Sequence, residues 1–531
     1  MLRKIGVLGV AMAALGLAAC GGTNSPTGAV ASSNQRGTLV DNPAVRVASL
    51  TATAFTAQLN ATSSGPQLLE LAGTPTCGVD FYYFKYWTVA PDGSAQMASG
   101  ALMVPTGTSA PCTGPRPIVL YAHGTTTASA YNIADISDAS NPANSEAAAV
   151  ATIFAAQGNI VVAPNYLGYD ISTLGYHPYV DGATNATDMI DALAAARTAL
   201  LSTFTPGTSD SGKLYVTGYS EGGYVAMATV RAMQAANETV TASAPSSGPY
   251  ALEAFGDALM FGQVDLGSTE FAPLLSISYQ NVYGNVYTQP TDVYSSTYAT
   301  GIGTLLPSTT PIASLFQNGK LPETALFDST TPTSSTGIPQ VDAAADELLA
   351  LPSSPPYSAE QVSLFDLGFG SPYLLNNSYR VAYVDDAVIN PDEAEMTLLA
   401  GGTLTSGDVA LATTSSVGLR KDFATNDMRS GWSPEEPMLL CGGDADPTVY
   451  FQNTQIMAAL WTPYVQGGLI TVLDLNGTPQ AGNPFAPLQV GLQQTEAQLV
   501  AAGGAAAIAS YHTTEFPFCM VAARGFFAQV P

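Results

Sequence analysis

The sequence predicts an α/β chain with a mostly parallel central sheet flanked by helices and a large insertion set into it. Short apolar β-rich runs alternate with helical segments, which implies a sheet covered on both faces. That alternation breaks after about Pro249 and returns at Pro437. Of the 531 residues, 46% are hydrophobic and only 11% charged, which leaves material for one large core.

The elements follow in chain order. Arg3 and Lys4 precede an apolar run from Ile5 to Ala19, too short for a membrane span and of the length of a signal h-region. The run ends in Leu17-Ala18-Ala19-Cys20, a bacterial lipobox pattern, so residues 1–19 read as a lipoprotein signal peptide and Cys20 as the lipidation site. Gly21, where an aspartate would signal inner-membrane retention, favours the outer membrane or cell surface. Residues 20–65, rich in Gly, Ser, Thr, Asn and Ala, read as a flexible tether.

The N-terminal part of the core is expected over 66–249. Strands are predicted at Phe81–Val89 and Ala98–Val104, joined through Pro91-Asp92-Gly93, then at Pro117–Tyr121, Ile160–Ala163 and Leu214–Thr217. Helices are predicted over Asp188–Leu201 and Tyr224–Ala236. Residues 250–430 mix short apolar stretches with Tyr, Ser, Thr, Pro and Gly and read as an inserted cap. The C-terminal part of the core, 431–531, resumes with strands at Pro437–Cys441 and Leu469–Leu473 and a closing helix after His512.

Charge and cysteines narrow the function classes. A net charge of −26 repels nucleic acid and gives no bulk attraction to anionic lipid, so any membrane attachment is assigned to the lipid on Cys20. Besides Cys20 there are Cys77, Cys112, Cys441 and Cys519, an even number that suits two disulfides in an oxidising compartment. Of three connectivities, Cys77–Cys112 and Cys441–Cys519 are favoured, each closing a loop within one half of the core. No spacing resembles a zinc site.

A serine hydroxyl becomes a nucleophile only with a base to take its proton, an acid to orient the base and donors for the oxyanion. Gly218-Tyr219-Ser220-Glu221-Gly222 lies between the Leu214–Thr217 strand and a helix, the setting a nucleophile elbow requires, with Ser220 as nucleophile. Among the three histidines only His512 falls late enough to be the base. The acid follows the Met438–Cys441 strand. Asp446 is preferred for its Asp-x-x-Val spacing to Val449, with Asp444 as the competitor. One oxyanion N–H is expected from Glu221 and the other from Gly124 or Thr125 in the loop Ala122-His123-Gly124-Thr125. His123, Tyr166 and His177 are candidate pocket residues, because their segments follow predicted strands on the catalytic side; a structural hydrogen-bonding role for His123 and a loop-stabilising role for His177 are the alternatives.

Taken together, Tyr-Ala-His-Gly (121–124), Asn-Tyr-Leu-Gly-Tyr (165–169), Gly-Tyr-His-Pro-Tyr (175–179), Gly-Tyr-Ser-Glu-Gly-Gly (218–223), Asp-Pro-Thr-Val (446–449) and the late His512 resemble the secretory lipase-like α/β-hydrolases. The resemblance covers about residues 75–250 and 430–527 and leaves most of the cap uncovered. It implies hydrolysis of carboxylic esters, with hydrophobic acyl esters or polyester-like chains as substrates. The implied route is an acyl-enzyme on Ser220 with His512 and Asp446, and it needs no cofactor and no metal. Glu221 departs from the glutamine of many relatives, and its carboxylate is expected to act on His512 or on anionic substrates. A serine peptidase of the same fold and a non-catalytic surface-binding lipoprotein are the competing readings. Nothing in the sequence bears on oligomeric state.

Overall fold

The computed structural model describes residues 35–530 apart from 204–206, 354–356, 413 and 504. The signal peptide and Cys20 lie outside the described residues.

Nine strands form one sheet: β1 (Val45–Leu50), β2 (Gly78–Val89), β3 (Ala95–Thr106), β4 (Gly114–Ala122), β5 (Ile160–Pro164), β6 (Thr208–Tyr219), β7 (Ala242–Ser246), β8 (Met438–Gly442) and β9 (Ile470–Asp474). Their spatial order is β1-β2-β3-β5-β4-β6-β7-β8-β9. Pairing is antiparallel from β1 to β5 and parallel from β5 to β9. β5 and β8 are buried along their whole length, which is why they read as unbroken runs rather than as alternation; β7, Ala-Ser-Ala-Pro-Ser, is as buried but carries no apolar run, and sequence reasoning missed it.

Helices α2 (Asn144–Ile153), α3 (Gly182–Ser202), α4 (Glu221–Ala235) and α8 (Tyr511–Phe527) cover the sheet. Packing is close at the centre: a Cβ on Gly223, in the first turn of α4, would lie 2.2 Å from the Ser246 carbonyl oxygen at the end of β7. The chain is of α/β-hydrolase fold. Disulfides join Cys77 to Cys112 and Cys441 to Cys519.

Between β7 and β8 the chain leaves the sheet and builds a helical layer that includes α5 (Leu252–Met260), α6 (Ser268–Val282) and α7 (Gly418–Asn426). Two arginines bind this layer together from within. Arg420 is fully buried and meets Asp257 at 2.7 Å and Asp386 at 3.2 Å. Arg429 meets Asp392 at 2.7 Å and Asp427 at 2.8 Å. Removing one member of such a buried set strands a charge, at about 3–5 kcal/mol.

The tether expected over 20–65 is corrected for its described part. Val45–Leu50 pairs with β2 as an edge strand, and α1 (Ala52–Asn60) seats Phe55 and Leu59 in the core. Ahead of them Arg36 bonds Asp191 at 3.0 Å, and the Gly37 N–H donates to the Trp87 carbonyl. An edge strand is held by backbone bonds, and here Val45 and Val47 face solvent, so no apolar period marks it. Among the described residues no helix is long and apolar enough to cross a membrane.

Candidate active site

Ser220 sits between β6 and α4 at φ 61° and ψ −127°, a strained conformation for a residue with a side chain. Two glycines permit the turn. A Cβ on Gly218 would lie 2.2 Å from the Gly222 carbonyl oxygen, and one on Gly222 would lie 2.1 Å from that of Ala122. The Ser220 N–H donates to the Ser246 carbonyl at 3.1 Å, which ties the elbow to β7. Glu221 opens α4, where first-turn N–H groups have no intrahelical acceptor and the helix dipole favours negative charge.

His512 arrives on the first turn of α8 rather than on a loop before it. Its Nδ1 donates to Asp446 Oδ2 at 2.6 Å, and its Nε2 is buried without a hydrogen-bond partner among the described residues. Asp446 Oδ1 accepts the N–H groups of Thr448 (2.9 Å) and Val449 (3.2 Å), so the Asp-x-x-Val spacing builds a turn that aims the carboxylate. Asp444 is exposed and makes no bond to His512. Tyr219, the residue before Ser220, packs its ring 4.8 Å from His512 and donates its hydroxyl to the His512 carbonyl at 2.6 Å. The nucleophile elbow and the base are thereby joined through adjacent residues. Sequence reasoning missed Tyr219, although it stood inside the quoted motif.

The loop after β4 lies against the elbow, since a Cβ on Gly124 would be 3.8 Å from that of Ser220. Of the two expected donors here, Gly124 is corrected: its N–H donates to Glu146 Oε1 at 3.2 Å, away from the site. The Thr125 N–H has no partner among the described residues, and Thr125 Oγ1 hydrogen-bonds the Tyr179 hydroxyl at 2.9 Å. Glu146 also accepts from Tyr121 (2.6 Å) and Tyr131 (2.8 Å) and so anchors the loop from below.

His123, Tyr166 and His177 do not line the pocket, which corrects that expectation. All three are buried, and their rings stack with that of Tyr131: Tyr131 on His123 (4.3 Å), His123 on Tyr166 (3.9 Å) and Tyr166 on His177 (5.6 Å). The reason is packing, because the His123 ring at the start of the loop stacks on Tyr166, which stacks in turn on His177. His123 faces the carbonyls of Gly124 (2.8 Å) and Asn165 (3.2 Å), and burial pulls its pKa below the usual imidazole value. The Glu221 side chain turns inward. Its Oε1 meets His177 Nε2 at 2.6 Å, and it does not reach His512.

Ser220 opens onto a cavity between core and cap. Its wall is apolar, with Leu252, Phe255, Phe271, Leu275, Leu326, Leu375 and Phe423 among the lining residues, and Tyr179 and Asp265 beside the elbow. Burial pushes the Asp265 carboxyl up to about 8, with the nearby charge of Asp446 adding to it. One turn beyond His512, Glu515 is wholly buried, accepts from Ser247 at 2.8 Å, and is held well above the carboxylate range by burial and by Asp446. Neither carboxyl was singled out by sequence, because each depends on contacts between distant segments.

A serine at a strained elbow, a histidine with one free nitrogen and a carboxylate fixing the other nitrogen are the parts required for nucleophilic acyl transfer. On this fold they define a serine hydrolase of α/β-hydrolase fold.

Comparison with known proteins supports the same class. Residues 145–266 match the profile of the prolyl oligopeptidase family. The crystal structure of the rice cell wall degrading esterase LipA from Xanthomonas oryzae is 26% identical, with a TM-score of 0.59, over 88% of this chain and 98% of that one. A ligand-bound form of LipA is 27% identical over the same shares, with a TM-score of 0.60. A putative hydrolase from Legionella pneumophila, 18% identical over 93% of this chain and 98% of that chain (TM-score 0.59), shares the fold. No curated protein sequence matches the chain.

Proposed function

We propose that this protein hydrolyses carboxylic esters bearing a hydrophobic acyl chain, using Ser220, His512 and Asp446. His512 Nε2 takes the hydroxyl proton as Ser220 Oγ adds to the ester carbonyl. The N–H groups of Glu221 and Thr125 receive the oxyanion. The intermediate collapses to an acyl-enzyme, and the alcohol leaves with the proton from His512. Water then adds in the same way, giving up its proton to His512, and the acid departs as Ser220 recovers its own. Asp446 holds the imidazole with its proton on Nδ1 throughout.

The apolar cavity opening on Ser220 carries the ester reading. An acyl chain gains about 0.8 kcal/mol per methylene buried in such a wall, whereas a peptide would bring amide groups that need partners there. The likeness to the esterase LipA supports it further. The match of residues 145–266 to the prolyl oligopeptidase family favours peptide cleavage as the second reading. p-Nitrophenyl esters of graded acyl length, an insoluble polyester and peptide p-nitroanilides, each with wild-type protein and Ser220→Ala, separate the two. Ester turnover that rises with chain length and disappears in Ser220→Ala is expected. Faster anilide than ester turnover overturns the ester reading. We further propose that the enzyme works outside the cytoplasm, held at the outer membrane or cell surface by a lipid on Cys20. Metabolic labelling with a palmitate analogue, lost in Cys20→Ala, is the test.

A further inference from the structure

Beneath the oxyanion donors lies a buried pair to which the mechanism above gives no role. Glu221 contributes its backbone N–H to the developing oxyanion, yet the same residue carries a carboxylate with no exposed surface. An uncompensated charge so close opposes the build-up of a second negative charge on the substrate oxygen. Oε1 of that carboxylate meets His177 Nε2 at 2.6 Å, and Oε2 has no partner among the described residues. On the other side of the ring His177 Nδ1 faces the Leu167 carbonyl at 2.8 Å, which only an N–H can satisfy. With Nδ1 donating there, the short contact between Nε2 and Oε1 must hold a proton of its own. Whichever atom carries it, the pair is neutral as a unit.

The surroundings fix this arrangement. His177 is stacked on Tyr166 at 5.6 Å and packs at a tilt against Tyr169 at 4.8 Å. Gly168, at φ 94°, lets the backbone of the 165–169 turn lie against that of Tyr176 and His177, where a Cβ would come within 2.5 Å of the Tyr176 carbonyl oxygen.

We infer that His177 is a positioning residue for the oxyanion site: it pins the Glu221 side chain and cancels the carboxylate's charge under the backbone N–H that receives the oxyanion. This inference rests on the assignment of Ser220 and Glu221 to acyl transfer made above.

The test compares wild-type protein with His177→Leu, His177→Gln and the double variant His177→Leu/Glu221→Gln, each confirmed folded by its unfolding transition. The measured quantities are kcat and KM on a p-nitrophenyl ester and inhibition by an alkylboronic acid, whose serine adduct is anionic and tetrahedral. His177→Leu is expected to lower kcat and boronate affinity about 100-fold while KM changes less than about 3-fold. His177→Gln, which can still donate to Oε1, recovers about 10-fold of that loss. The double variant, which no longer holds the stray carboxylate, recovers as much. A folded His177→Leu protein within about 3-fold of wild type in kcat and boronate affinity overturns the inference. A double variant that regains thermal stability without any kcat also overturns it. Wild-type protein inert to both ester and boronate overturns the acyl-transfer reading itself, and this inference with it.

Discussion

Cys441 and Cys519 join the strand that delivers Asp446 to the helix that carries His512. The bond leaves β8 five residues before the acid and enters α8 seven residues after the base. Near it, Ser247 donates its N–H to the Cys441 carbonyl and its hydroxyl to Glu515. One crosslink therefore holds together the end of β7, the acid turn and the base helix.

Its removal is expected to affect stability and turnover together. The sequence separation of 78 residues corresponds to about 4 kcal/mol of chain-entropy stabilisation. Cys441→Ala/Cys519→Ala should show an unfolding transition lowered by several degrees and a kcat reduced about 10-fold. An enzyme that keeps full kcat after losing the bond would show that the His512–Asp446 contact aligns without it.

The two aspartates after β8 make opposite predictions. Asp446→Asn leaves the shape but offers an amide to His512 Nδ1, so kcat is expected to fall about 10³- to 10⁴-fold. Asp444→Asn, at an exposed position, should stay within about 2-fold. Steady-state rates on one ester decide it, and equal losses would reassign the acid.

The cap residues on the cavity wall should set acyl length. Ala272 lies in α6 on that wall, so Ala272→Trp fills part of the space an acyl chain requires. kcat/KM on long-chain p-nitrophenyl esters is expected to drop about 10-fold relative to butyrate. A uniform change across chain lengths would place the acyl chain elsewhere.

How much of this was legible in the sequence depended on the range of the interactions involved. The elbow at Ser220 and the turn at Asp446 are local: spacing within five residues dictates their geometry, so the strings Gly-x-Ser-x-Gly and Asp-x-x-Val carry it. His512 was found by scarcity, since only three histidines exist. The donor choice between Gly124 and Thr125 could not be read, because Glu146 takes the Gly124 N–H from 22 residues away. His177 drew attention as a polar residue on the catalytic side, yet its partner Glu221 is 44 residues distant and turns it inward. β1 was unreadable for a different reason: its side chains are largely exposed, and only its pairing with β2 reveals it. The cap wall draws on residues from 249 to 423 whose apolar spacing follows no single period.

Buried carboxyl groups set the last prediction, the dependence of stability on pH. Burial pushes Asp188 up to about 7, Glu253 to about 8, Asp257 to about 6 and Asp265 to about 8, against ordinary values of 3.8 for Asp and 4.5 for Glu. Glu253 and Asp257 lie beside Arg420, which opposes the shift without reversing it. In each case the folded state holds a proton that the unfolded chain releases at lower pH. Between about pH 4 and pH 8 the unfolded state thus binds fewer protons, and stability falls as pH rises. The contribution is complete below the unfolded values and is lost as pH climbs through the folded ones. The unfolding midpoint is expected to be highest near pH 4–5 and to drop by about 5 °C or more by pH 8. Asp265→Asn, which cannot ionise, should flatten part of that slope and leave the midpoint at pH 4.5 within about 2 °C. Calorimetry or intrinsic fluorescence across pH 4–9 measures both. A midpoint that rises steadily toward pH 8 would mean that these carboxyls are ionised in the folded protein, and that the cavity beside Ser220 is lined by a charge at Asp265.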